Sequence, residues 1–125
     1  AAISYWEGFS QLYLLEPENA FVMQWLEKSL NLVYLPDDDS VFTWLFNATQ
    51  EYFLKNKNYQ VLSIFYERMS RIEPKEAKWF ARYATAEYMQ GERADAIAAI
   101  KKAMSLDESY REEGGAFIRL IEADK

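Results

Sequence analysis

Laid over itself with Thr43 on Ala77, the chain sets its bulky apolar positions on one another. Thr43–Glu76 then covers Ala77–Tyr110. Phe46 falls on Phe80, Leu62 on Ala96, Tyr66 on Ile100, Met69 on Ala103 and Ile72 on Leu106. A repeat of this length constrains the fold more than any single residue does. Each unit is too short to bury its own apolar face, so units must stack, neighbour on neighbour.

Within the units the apolar spacing is helical. It predicts seven antiparallel helices joined by short loops. Ile3, Trp6, Phe9 and Tyr13 define the first, at about 3–15, and "EPEN" breaks it. The second, about 18–34, gathers Val22, Trp25, Leu26, Ser29, Leu32 and Val33 on one face, and "PDDDS" ends it. The third covers about 40–55 through Trp44, Phe46, Phe53 and Leu54. "KNKN" is a polar turn. The fourth, about 58–72, carries Tyr59, Leu62, Phe65, Tyr66, Met69 and Ile72, and Pro74 stops it. The fifth covers about 75–90, with Gly91 at its C-terminal side. The sixth is "GERADAIAAIKKAMSLD", and the seventh covers about 109–123. No strand-like alternation competes with these patterns. A looser unit, about 3–36, precedes the two regular ones. The whole reads as a single all-α domain over 1–125.

The motif residues resemble the tetratricopeptide repeat, a helix–turn–helix of about 34 residues with the pattern W-x2-L-G-x2-Y, later A-x3-F-x2-A, then P. "EYMQGERADAIAAIKKAMSLDESY" is the strongest match, with Gly91 at the turn, then Ala96, Ile100 and Ala103; the pattern's final Pro is here Glu108. The middle unit keeps Tyr59, Leu62, Tyr66, Met69, Ile72 and Pro74, but has Lys57 for the turn glycine and Gln50 where a small residue is usual. The first keeps Trp6, Phe9, Ser10 and Tyr13. The resemblance implies helix pairs stacked as a short right-handed superhelix. Small residues at Ala84, Ala96 and Ala103 let the two backbones of a pair approach, and Phe80, Tyr83 and Ile100 fill the space between layers. The seventh helix would cap the stack, polar at Arg111, Glu112, Glu113, Arg119 and Glu122 and apolar on its other side. Gly114 and Gly115 fall inside it. Either the helix starts after them or they permit close approach.

The resemblance also implies a concave face lined by the first helix of each pair, where family members commonly hold extended peptides or partner helices. Carried over, that face has Ser4, Glu7 and Gln11, then Trp44, Asn47 and Glu51, then Lys78, Arg82, Thr85 and Tyr88 or Met89. Trp44 is either an aromatic anchor for a partner or packs on "PDDDS" or the first pair. Lys78 and Arg82, one turn apart, also resemble the carboxylate grip of chaperone-binding members. Three of that grip's five positions are lost here, to Glu7, Gln11 and Ala48. A solvated face, or pairing with Glu51, is the alternative for the two cations. The acids of "DDDS" lack the spacing and glycine of a calcium loop. Asp39 or Ser40 as a helix N-cap accounts for them.

Composition narrows the chemistry. A chain of 125 residues has neither Cys nor His, which removes disulfides, thiolate metal sites, the commonest general base and the serine-type triad. A net charge of −6 argues against nucleic acid and anionic membrane as partners. There is no Gly-rich phosphate loop, no nucleophile motif and no cofactor motif, and no apolar run approaches the ~18 residues of a membrane helix. The start, "AAISYWEGF", has no Met and no basic n-region and looks like a piece of a longer chain. Compartment is not encoded. The expected function is a non-catalytic protein-interaction scaffold for a protein or peptide partner. Two alternatives are an accessory domain of a larger enzyme, membrane-bound or otherwise, and self-association through edges left by the divergent first pair, with its aromatics Tyr5, Trp6, Phe21 and Trp25.

Overall fold

The computed structural model of the chain describes residues 37–123. Five α-helices follow one another there: α1 (Asp39–Lys55), α2 (Tyr59–Ile72), α3 (Ala77–Met89), α4 (Arg93–Leu106) and α5 (Arg111–Ala123). A 3-10 turn, Glu108–Tyr110, leads into the last. No strand occurs among the described residues, and none of their helices is long and apolar enough to cross a membrane. The helices expected at 3–15 and 18–34, the loose first unit, and Ser4, Glu7 and Gln11 with them, lie outside the described residues. The described residues fall into two compact units, 37–48 and 49–123, divided within α1.

In the first unit the α1 stripe of Phe42, Leu45 and Phe46 is buried. Its N-cap is Asp38, one residue earlier than expected. The Asp38 carboxylate accepts from the N–H groups of Ser40 (2.8 Å) and Val41 (3.1 Å), and Asp39 follows at the positive end of the helix.

In the second unit the backbone repeats at the period of the sequence. α2 and α4 are each 14 residues long, and both of their ends stand at the offset that carries Thr43 onto Ala77. The turns before them share two closing bonds. Lys57 N–H donates to Leu54 O (3.1 Å) and Asn58 N–H to Phe53 O (3.0 Å). At the equivalent positions of the next unit, Gly91 donates to Tyr88 O (3.0 Å) and Glu92 to Glu87 O (2.9 Å). Both are Schellman closures, whose central residue is left-handed. Gly91 has φ 82° and Lys57 φ 54°. Lys57 therefore adopts the glycine conformation without being glycine, at a steric cost of about 1–2 kcal/mol. Lys57→Gly should raise the unfolding free energy by about 1 kcal/mol, the relieved clash exceeding the added unfolded-state entropy. Urea denaturation measures it, and a loss of stability would contradict the strain. α3 and α5 are related in the same way: both have 13 residues, and Arg111–Ala123 stands at that same offset from Ala77–Met89.

Packing follows from side-chain size. α2 buries Val61, Leu62, Phe65, Tyr66 and Met69, a stripe at helical period. Asn58 caps its start, accepting from Val61 N–H at 3.2 Å. Ala77 and Ala84 of α3 meet Ala99, Ile100 and Ala103 of α4 in one buried cluster. The alanines are thus contact points between backbones, and half-buried Phe80, Tyr83 and Met104 pack around them. Gln90, in the turn between α3 and α4, ties it back to α2: its amide nitrogen donates to Ser63 Oγ (2.6 Å) and to Tyr59 O (3.2 Å).

The two glycines of α5 play different parts. The helix begins at Arg111, so both lie inside it. A Cβ on Gly114 would meet Met104 Sδ at 2.5 Å and Cγ at 2.7 Å, so this glycine brings α5 onto α4. One on Gly115 would meet only the Arg119 guanidinium, at an ordinary 3.5 Å. Gly115→Ala should therefore stabilise by about 1 kcal/mol through helix propensity. Gly114→Ala should fall short of that by about 1 kcal/mol or more, the overpacking offsetting the propensity. Equal gains for the two in thermal unfolding would contradict the close approach.

Candidate functional site

On α3, Lys78, Arg82, Thr85 and Met89 recur at intervals of four, three and four, and all are exposed. They form one exposed, outward stripe along α3. Tyr88 departs from it. It is half-buried, with its ring set edge-on to Phe117 of α5 at 5.5 Å and 70°. Thr85 turns its hydroxyl back to Ala81 O at 3.2 Å. On α1, Trp44, Asn47 and Glu51 lie at i, i+3 and i+7 on one face; Asn47 and Glu51 are exposed and Trp44 is half-buried. Trp44 and Asn47 belong to the first compact unit and Glu51 to the second.

The two cations sit on a platform that pattern reading missed. The Lys78 ammonium lies 4.8 Å, and the Arg82 guanidinium 5.2 Å, from the ring centroid of buried Trp79. Tyr66 of α2 stacks on the same ring, at 6.2 Å and 25°. The indole N–H donates to Glu73 Oε1 at 2.8 Å, which fixes the ring's orientation. Gln50 of α1 supplies one oxygen to two donors, the Tyr66 hydroxyl (3.0 Å) and Arg82 Nη1 (3.3 Å). Gln50, out of place in the repeat pattern, thus does a specific job, linking α1, α2 and α3. Burial holds the Tyr66 hydroxyl above its ordinary pKa, and the Arg82 charge partly opposes this.

Neither cation forms an ion pair with Glu51 or with any other described carboxylate. Their partners are a ring face and an amide oxygen, both neutral. Such contacts orient a cation at about 0.5–1 kcal/mol each at an exposed site and leave its charge in place. The arrangement presents two positive charges to solvent, one turn apart, on a rigid aromatic base. No protein-family model matches the chain, and no curated protein matches it.

A second cluster lies at the α3–α4 turn. Carboxylate oxygens of Glu87, Glu92 and Asp95 lie within 4.8 Å of one another; Glu87 is buried and the other two are exposed. Glu87 stands where the preceding unit has fully buried Phe53. Its carboxylate lies near enough to Tyr83 to act on that hydroxyl. Tyr83 is held above its ordinary pKa, first by burial and then by the charges of Glu87, Asp95 and Glu67. The field at this end of the molecule is thus negative, opposite in sign to that over Trp79.

Proposed function

We propose that the chain is a non-catalytic interaction scaffold of tetratricopeptide type, its helix pairs stacked as a short right-handed superhelix. The outward stripe of α3 forms part of a concave groove that receives an extended peptide or partner helix. The recurrence of helix bounds and turn bonds from one unit to the next supports the architecture. The observation that carries the function is the Lys78–Arg82 pair, oriented on Trp79 by neutral contacts and left unneutralised. A carboxylate of the partner fits it, since a guanidinium and an ammonium four residues apart converge on one acceptor. Trp44 and Asn47, on α1, are partner contacts in their own right.

Peptides selected from a displayed library against the full chain test this reading. Their affinity, measured by fluorescence anisotropy, should fall tenfold or more in Arg82→Glu, because a paired charge is replaced by a repelling one. Unchanged affinity for every selected peptide would remove Arg82 from the site, and Trp44→Ala is read separately.

A further inference from the structure

A cleft of about 260 Å³ runs between α2 and α4, away from the outward stripe of α3. Its floor is apolar: Phe80 of α3 with Ala98 and Ala99 of α4. It is open because α4 carries these alanines where α2, one repeat earlier, carries Ile64 and Phe65. Ser70, Tyr83, Asp95 and Lys102 complete the lining, and Asp95 and Lys102 mark its two ends along α4. Asp95 and Lys102 are two turns apart on one helix, about 10 Å along its axis.

The two ends differ in charge. Asp95 is the vertex at which the cleft meets the carboxylates of Glu87 and Glu92. None of the three is ion-paired with a described residue. A wholly apolar guest would cover this acidic end and desolvate its charges without compensation. An anionic guest would be repelled there. A bare metal ion would leave the floor unused. The chain's net charge of −6 further favours a cationic guest.

We propose that this cleft receives a basic side chain of a partner polypeptide. The cation meets the Asp95, Glu92 and Glu87 carboxylates. The alkyl stem lies over Ala98, Ala99 and Phe80, as long basic side chains do on apolar surfaces. The partner's backbone carbonyl reaches the Lys102 ammonium at the far end. The Ser70 hydroxyl already donates to Glu67 O at 2.6 Å. This docking site stands independently of the α3 face, whose chemistry selects an acid.

The test is an NMR titration of the full chain with N-acetyl-lysine methylamide, set beside the norleucine analogue, which keeps the stem and lacks the amine. The lysine probe should shift the amides of Tyr83, Asp95, Ala98 and Ala99, and the norleucine probe should bind more weakly. Asp95→Asn should weaken the lysine probe about fivefold, the scale of one partly exposed charge pair. Ala98→Leu, at an exposed helical position, should fill the floor and abolish the shifts with an unchanged circular dichroism spectrum. Equal binding of the two probes, unaltered binding in Ala98→Leu, or a response of these amides to calcium but not to lysine would overturn the assignment. Loss of acidic-peptide binding in the Arg82 variant leaves these readouts untouched, so the two sites fail separately.

Discussion

Phe65→Ala should lower the free energy of unfolding by about 3–5 kcal/mol, the range for deleting a large buried aromatic side chain. Phe65 is fully buried on α2. Its ring meets Phe53 of α1 edge to face, with centroids 5.6 Å apart and planes at 88°. Tyr52 extends the contact, edge to Phe53 at 5.3 Å. The loss combines a transfer term, a cavity between two helices and a broken aromatic pair. The neighbouring Ile64→Ala is the control. Ile64 is 38% exposed, so its truncation should cost about 1 kcal/mol or less. Urea denaturation followed by circular dichroism reads both. Equal costs would mean that the seam between α1 and α2 is not packed as described.

Ala103→Trp is the converse experiment, adding bulk where Phe65→Ala removes it. Ala103 has no exposed surface and lies in the cluster that joins α4 to Ala77 and Ala84 of α3. An indole there has no room unless the helices separate. The expected cost is about 1–3 kcal/mol, and more if the pair cannot repack. Lys101→Trp, on the exposed side of the same helix, should change stability by about 0.5 kcal/mol or less. A tolerated indole at Ala103 would show that the alanines fill the helix without bringing it close to its neighbour.

The parts legible in the sequence are those written in local periodicity. The five described helices begin and end within two residues of their expected bounds, because alternation of apolar and polar residues at the helical period is a property of each segment alone. The α1 cap is displaced by one residue, from Asp39 or Ser40 to Asp38, since any member of an acidic run can serve. The Lys57 side chain gives no sign of a left-handed backbone, and only its alignment with Gly91 in the repeat does. That conformation is imposed by the closing bonds to Phe53 and Leu54 and not by the side chain. The Gly114–Gly115 question turns on the distance between two helices, which no single segment specifies. For the site, spacing places Lys78 and Arg82 together but does not reveal their base. Trp79, next to Lys78 and three before Arg82, is a detectable neighbour on the helix surface. The turn of Tyr88 toward Phe117 depends on α5 and has no local signal. The alanine-floored cleft shows only as a size difference between the units, Ala98–Ala99 against Ile64–Phe65.

The equal offset of α3 and α5 has a practical meaning for how this protein could be lengthened. Tyr110 already leads into a helix whose limits copy those of Ala77–Met89. A duplicate of residues 77–110 spliced in after Tyr110 would hand over to α5 across the parent's own Tyr110–Arg111 joint, while its first joint, Tyr110 to Ala77, is new. Each added copy therefore brings one new neighbour pair, α4 followed by a copied α3, and the packing of that pair decides whether length adds stability.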